Sequence, residues 1–459
     1  MSNITIKKGM RIYFIGIGGV SMSGIAQMLL NEGCKISGSD RSASPLTDKL
    51  TELGVKVNIG HRGDNITDCD LVVYSAAIST DNPERIRAKE LGIPQIDRAE
   101  MLGIIMKSYD CPIAVSGTHG KTTTTGMLTH IFMECSKNPT VTVGGELDII
   151  HGNVHIGDKK YFIAEACEYH QSFLKFNPKI SVINNIEADH LDYFKDLDHI
   201  IETFHKLALL TPFDGAVIIN GDDMNARRAT EGVDRKIVTF GLNGTYDYTA
   251  ENIEHNGLNL YTFTVCKKGS LVGQIRLSVP GIHNVYNALA AFAAADFLGL
   301  DNEDICDSLY RFGGTHRRFE TRGIMGGIVV VDDYSHHPTE IHATLSTVRD
   351  MKYNNVWCVF QPHTYTRTYT LFDDFVKVLS ESGLNIIITD IYAAREADTG
   401  LVSAQQLANA IPNAVYKKTF SEAADFIKAQ AKRGDIVLTM GAGDVYKIGD
   451  MLLSHTEDE

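Results

Sequence analysis

The chain has no uncharged apolar run of 18 residues, so no segment combines the length and hydrophobicity needed to cross a bilayer as a helix. It has no CxxC pair either. Its eight cysteines, Cys34, Cys69, Cys111, Cys135, Cys167, Cys266, Cys306 and Cys358, never come closer than 24 positions in sequence, which excludes zinc-ribbon and thioredoxin-type spacings and leaves them as reduced, mostly packing thiols. Positive charge is scarce: 43 Lys and Arg against 57 Asp and Glu give a formal charge of −14, which argues against broad contact with nucleic acid or anionic membranes. A bound anion must therefore be met by a local cluster of cations and amides. The first residues lack the cationic stretch, apolar core and small-residue cleavage site of a secretory leader, so the expectation is a cytoplasmic protein with no nucleic-acid partner and no membrane insertion.

At 459 residues and 44% hydrophobic content, the chain can fill about three cores of roughly 150 residues each. From Arg11 an apolar strand (RIYFIGI), a glycine turn, a helical stretch and a second strand (KISGSD) read as a βαβ opening, with more short strands at Leu71 to Tyr74 and Ile93 to Ile96. A second region starts with the strand around Ile113 and continues through YFIAEA, ISVINNI and GAVIING, each nearly continuous in apolar character, as strands covered on both faces require. Residues 246–280 alternate instead and predict a small antiparallel patch, followed by an alanine-rich helix from Asn284 to Leu298. Beyond the arginine pair at 317 and 318, IVVVDDY, VWCVF, NIIITDI and DIVLTMG alternate with helices. The expected fold is α/β in three domains: Rossmann-like over 1–107, a P-loop-type ATPase with a mostly parallel sheet over 108–314, and Rossmann-like over 315–459.

The segment AVSGTHGKTTTT at 114–125 leads an apolar strand into a glycine turn and then a helix, an arrangement that aims backbone amides and a helix dipole at an anion. Lys121 would neutralise outer phosphates and Thr122 ligate Mg²⁺. A strict Walker loop needs glycine where this chain has Val115, so the loop is a shortened variant: Gly117, Thr118, His119, Gly120, Lys121, Thr122. The opening GIGGVSMSG offers Gly16 and Gly18 as the first glycines of a dinucleotide turn and Asp40 as a ribose acid. Ser21 stands at the third glycine position, so NAD, the diphosphate of a UDP-sugar and a purely structural turn all remain open. Glu165 ends one apolar strand, while Asp189, His190 and Asp192 follow another; metal ligation and a surface acid cluster both fit. GTHRRFE brings Arg317 and Arg318 together near the junction of the second and third domains, where phosphate binding and a solvated surface pair fit equally; VDDYSHHPTEI and FQPHTYTRT place Asp333, Tyr334, His336, His337, His363 and Arg367 at successive strand ends, and that repetition favours an active-site rim over isolated caps.

Taken together, GIGGVSMSG, GTHGKTTT, NIEADHLDY, HNVYNALAA, RRFE, DDYSHHPTE and FQPHTYTRT, in this order across the whole chain, resemble the Mur ligases, ATP-dependent enzymes that extend the UDP-linked precursor of peptidoglycan. The resemblance is nearest to the branch that adds L-alanine to UDP-N-acetylmuramate. It implies a domain for the UDP-sugar, one for ATP and one for the amino acid, with the sugar carboxylate activated as an acyl phosphate. By the same resemblance Gly117, Thr118, His119, Gly120, Lys121, Thr122 and Thr123 hold ATP, with Lys121 on its β and γ phosphates. Thr122 and Glu165 hold one Mg²⁺ and His190 a second, with Mn²⁺ able to substitute. Arg318 approaches the γ-phosphate, Asp333 the ribose, and His283, Asn284 and Asn287 the adenine. Gly16, Gly18, Gly19, Asp40, His61 and Ser75 lie near the UDP-sugar, and Tyr334, His336, His363 and Arg367 around alanine or the intermediate. A monomer or weak homodimer is expected.

Two positions depart from the family pattern: Thr364 stands where an arginine is expected, and the site of the carbamylated lysine of other branches falls on Phe204, beside His205 and Lys206. The rival readings are a recycling ligase of the same family that attaches a preformed peptide, and an NAD-dependent oxidoreductase.

Overall fold

The computed structural model describes residues 4–191, 193–394, 396–398 and 400–454; Asp192 lies outside them. The chain divides into two compact units, one formed by residues 1–247 and 290–300, the other by 248–289 and 301–459.

The first unit opens with a parallel sheet of β1 (Arg11–Ile15), β2 (Lys35–Asp40), β3 (Lys56–Ile59), β4 (Leu71–Tyr74) and β5 (Gln95–Asp97), ordered β3-β2-β1-β4-β5. The order reverses at β1, so the glycine turn after it faces the crevice where such sheets bind ligands. The same unit continues with β6 (Cys111–Ser116), β7 (Pro139–Leu147), β8 (Gly152–His155), β9 (Asp158–Glu165), β10 (Ile180–Ile183), β11 (Ala216–Asn220) and β12 (Ile237–Gly241). They run β12-β11-β10-β6-β9-β7-β8, and apart from the antiparallel hairpin β7–β8 the pairings recorded here are parallel. All six residues of β6 and all four of β10 are buried, which accounts for their unbroken apolar character. The two sheets share one core: Phe14, Met101, Phe162, Phe173 and Phe204 belong to a single cluster of buried side chains.

The second unit holds the antiparallel meander β13 (Tyr248–His255), β14 (Leu260–Lys267) and β15 (Ser270–Pro280), where the alternating sequence predicts it. Its other sheet comprises β16 (Glu320–Met325), β17 (Ile328–Asp333), β18 (Val356–Phe360), β19 (Asn385–Ile388), β20 (Val415–Tyr416) and β21 (Ile436–Met440), ordered β16-β17-β21-β18-β19-β20. Here β16 pairs antiparallel with β17, an edge strand that the sequence pattern does not reveal because its burial never alternates cleanly. The remaining pairings are parallel, which brings the turns after β17, β21 and β18 side by side.

Candidate active site

β6 lies between β9 and β10, and its register aligns Val115 with Glu165 and Ser116 with Ile183. Three strand ends therefore deliver the glycine loop, the acid and the NNIEADH segment to one sheet edge. Gly117 turns at φ 135° and Gly120 at φ 76°, values that side chains disfavour, and a Cβ on Gly117 would lie 3.0 Å from that of Asn184. Asn185 stitches the loop from the β10 side: its carbonyl accepts from the Thr118 amide at 3.0 Å and its side-chain oxygen from the His119 amide at 2.8 Å. The Thr118 hydroxyl accepts from the Glu187 amide at 2.8 Å, and His119 Nε2 lies 3.3 Å from Glu187 Oε2.

The helix Lys121–Glu134 begins directly after Gly120. Thr122 Oγ1 donates toward the Glu165 carboxylate, 3.0 Å from each oxygen, and the Gly144 amide holds Oε2 at 2.7 Å. A hydroxyl and a carboxylate facing each other are hard oxygen donors of the kind Mg²⁺ prefers, so these residues fit that ion. Lys121 Nζ donates to the carbonyls of Gly117 at 2.5 Å and Thr118 at 2.9 Å, and to both oxygens of Glu168 at 3.2 and 3.1 Å. Burial works to lower its pKa, but the charge of Glu168, with Glu165 behind it, outweighs that and holds it raised, so the ammonium stays charged. Thr123, the next residue of the helix, is half-buried.

His190 sits at φ 54° with its amide on Asp189 Oδ1 at 2.7 Å and its ring 4.5 Å from that of Tyr169. Its Nε2 lies 3.7 Å from Asp189 Oδ2. Phe204 is fully buried against Phe173 as an aromatic packing residue.

At the β1 turn, Gly16 and Ile17 donate their amides to the Ser39 carbonyl, and the Gly18 amide donates to Asp40 Oδ2 at 2.8 Å. Gly19 caps the helix Val20–Asn31, and Ser75 lies against Gly16. His61 Nδ1 is 2.9 Å from Glu84 Oε2 and 3.0 Å from Ser39 Oγ. Glu84 is fully buried and also accepts from Tyr13 at 2.8 Å, Ser39 at 2.6 Å and Asn65 at 2.7 Å, so one carboxylate ties the ends of β1 and β2 to His61.

In the second unit the two arginines separate by role. Arg317 spends its guanidinium on Asp332 at 2.9 Å and the Gly441 carbonyl at 2.9 Å, between the rings of Tyr334 and Tyr446. Arg318 is more loosely held, 3.8 Å from Glu340 and over the Tyr334 ring. Asp333 commits both carboxylate oxygens to the turn, one to the Phe319 amide and the other to the Ser335 amide, each at 2.8 Å. His283 opens the helix His283–Phe297 with an exposed side chain, within electrostatic reach of Asp333, Arg318 and Glu340. Asn287 donates to Asn284 at 2.9 Å, and Asn284 to the Pro280 carbonyl at 2.7 Å. The His336 and His363 rings lie 5.6 Å apart, and Arg367 Nη1 is 3.1 Å from His363 Nδ1. Burial, with His336 and Arg367 nearby, drives the His363 pKa down to about 3, so its imidazole is neutral near pH 7. Tyr392 stacks on His363. Thr364 takes φ 66°, ψ 147°, a conformation a β-branched side chain rarely adopts, and caps the helix Tyr365–Thr370 with its hydroxyl.

Glu84, Glu168 and Tyr392 escape a motif reading, and Asn185 opens NIEADHLDY without being assigned a role there. Of the first three, Glu168 alone leaves a trace, as a second acid three residues after Glu165.

Family models match the chain in three consecutive stretches: the Mur ligase family catalytic domain over 11–110, the Mur ligase middle domain over 115–295, and the Mur ligase glutamate ligase domain over 317–443. A UDP-N-acetylmuramate–L-alanine ligase from Acetivibrio thermocellus is 50% identical over 458 residues, covering 99% of this chain and 97% of that protein. The chain belongs to the Mur ligase family. A second such relative, from Caldanaerobacter subterraneus, is 47% identical and covers 99% of both proteins. Of solved Mur ligase structures, the UDP-N-acetylmuramate-alanine ligase of Thermotoga maritima matches with a TM-score of 0.81 at 30% identity, covering 97% of this chain and 98% of that one. A murein peptide ligase from Psychrobacter arcticus matches at 0.74 and 26% identity, over 97% and 98%. The Mur ligase fold is the expected three-domain α/β architecture with mostly parallel sheets, and ATP dependence comes with the family. An oxidoreductase built on the β1 turn is not favoured: in this Mur ligase Ser21, at the third glycine position, is held by Arg98 at 3.0 Å. No helix among the described residues is long and apolar enough to cross a membrane.

Proposed function

We propose that this Mur ligase joins L-alanine to the carboxylate of UDP-N-acetylmuramate, converting ATP to ADP and phosphate, as a step of peptidoglycan precursor synthesis. One observation carries the chemistry: Lys121 and the Thr122–Glu165 pair stand together where three strand ends meet. The choice of alanine is supported by the names of the two full-length relatives.

A carboxylate is a poor electrophile. Its oxygen attacks the γ-phosphorus, the β–γ bridge breaks, and ADP leaves. The amino group then attacks the carbonyl carbon of the acyl phosphate, and phosphate departs with the former carboxylate oxygen. Both steps depend on positioning and on cancelling negative charge. Lys121 supplies a fixed ammonium to the outer phosphates, and the amides around Gly117, Thr118, His119 and Gly120, with Thr123 beside them, line the phosphate chain. Thr122 and Glu165 would hold Mg²⁺, with His190 assigned a second ion, and that metal would neutralise phosphate charge. Arg318 is assigned to the γ-phosphate, Asp333 to ordering the turn that presents it, and His283, Asn284 and Asn287 to the adenine side. Gly16, Gly18, Gly19, Asp40, His61 and Ser75 receive the UDP-sugar. Tyr334, His336, His363 and Arg367 surround the amino acid; with Thr364 replacing the expected arginine, Arg367 carries the cationic share.

The test is incubation of purified protein with ATP, Mg²⁺ and UDP-N-acetylmuramate in separate arms containing L-alanine, glycine, L-serine or a tripeptide, followed by mass spectrometry. A gain of one alanyl residue, dependent on ATP, is expected. Product in the tripeptide arm alone would identify the recycling ligase instead.

A further inference from the structure

Glu168 has no part in the reading above, yet it is the most elaborately placed acid near the loop. It is 2% exposed, and both its oxygens reach Lys121 Nζ. Two consecutive residues just beyond it, His170 and Gln171, are left-handed at φ 53° and 54°, and the Gln171 amide closes the turn on the Glu168 carbonyl at 2.8 Å. Two non-glycine residues in that region are costly, and such strain persists only where the surrounding structure over-determines it. What it secures here is a carboxylate under the loop. Lys121 is thus engaged by two loop carbonyls and one carboxylate.

We propose that Glu168 is a positioning residue that occupies Lys121 in the nucleotide-free enzyme and is exchanged for phosphate oxygens when nucleotide enters. This rests on the nucleotide-binding reading of the loop. The carboxylate and a phosphate present the same chemistry to an ammonium, two or more anionic oxygens at hydrogen-bond distance. Holding Lys121 this way keeps its ammonium paired beside the loop carbonyls at the cost of nucleotide affinity, because the phosphates must displace a buried ion pair.

The experiment is isothermal titration of ADP, with metal chelated, into full-length wild type, Glu168→Gln and Glu168→Asp, each checked for folding by circular dichroism. Removing the competing charge is expected to tighten ADP binding about tenfold in Glu168→Gln. In Glu168→Asp, whose shorter arm keeps the charge but loses reach, binding should tighten about two- to threefold. A purely structural carboxylate would not give a gain in affinity. Unchanged or weaker binding in a folded Glu168→Gln overturns the proposal, and if that variant does not fold, the same result in Glu168→Asp does so. A wild type that takes no ADP overturns the nucleotide reading of the loop and this inference with it, so the two failures are distinct.

Discussion

Lys121→Ala removes the ammonium that donates to the glycine-loop carbonyls of Gly117 and Thr118. Two costs follow, and they separate experimentally. The first is catalytic. Lys121 is 14% exposed and its charge is held by Glu168. Loss of one preorganised donor from a water-poor site costs about 10²–10³ in rate, and loss of a full charge belongs at the upper end, so kcat/KM should fall by about 10³ or more, roughly 4 kcal/mol of barrier. The second is structural. Glu168 is left buried with its ion partner gone, and breaking a buried pair from one side typically costs about 3–5 kcal/mol of stability. The double variant Lys121→Ala/Glu168→Gln removes the stranded charge and should recover most of the stability but none of the activity. A coupled assay of ADP release measures the first effect and urea denaturation the second. Substrate-dependent ADP formation by Lys121→Ala within tenfold of wild type would refute the assignment of Lys121. A double variant as unstable as the single one would refute the electrostatic account of Glu168.

Other expectations rest on single positions. Gly103, inside the helix Arg98–Met106, faces the Lys175 carbonyl so closely that a Cβ has no room; Gly103→Ala should cost about 2 kcal/mol or more in urea denaturation, and a cost below 0.5 would contradict the packing. Glu84→Leu leaves the Tyr13, Ser39 and Asn65 donors without their buried acceptor; a stability loss of about 3 kcal/mol and a raised KM for the UDP-sugar are expected, against no change if the network is idle. His363 has a folded pKa of about 3 against an ordinary 6.5, so the unfolded chain takes the proton first and stability is lost as pH falls from about 6.5 toward 3. Its share is on the order of 2 kcal/mol by pH 5, and the decline between pH 7 and 5 should be shallower by that amount in His363→Gln. Thr364→Gly should relieve the backbone at φ 66° while losing only part of the cap, for a net gain of about 1 kcal/mol; a lower melting temperature would show that the conformation is not strained.

How far the sequence reveals this enzyme depends on how local each signal is. The glycine loop is legible because its chemistry is consecutive: strand, turn, Lys121 and Thr122 form one short segment, and the parallel register then places Glu165 beside it. The alternating residues 246–280 announce their antiparallel strands for the same reason. Arg317 and Arg318 read alike as a pair, and only the three-dimensional arrangement shows one locked between Tyr334 and Tyr446 and the other loosely held. Asp333 reads as a ligand-facing acid, yet one of its oxygens closes a local turn on the Ser335 amide and the other is taken by the amide of Phe319, a partner that sequence spacing does not reveal. Glu84 is less legible still: it lies in a polar helical stretch, Pro83–Glu90, that looks solvated throughout, and its four partners come from β1, β2 and the residues around 61–65.

Transfer of oxygen from the sugar to phosphate is the most direct measure of the central claim, that Lys121 and its neighbours serve the activation of a carboxylate by ATP. UDP-N-acetylmuramate labelled with ¹⁸O in its carboxylate, turned over with ATP and L-alanine, should yield inorganic phosphate carrying one ¹⁸O atom. Unlabelled phosphate released in step with ADP and amide formation would contradict the account.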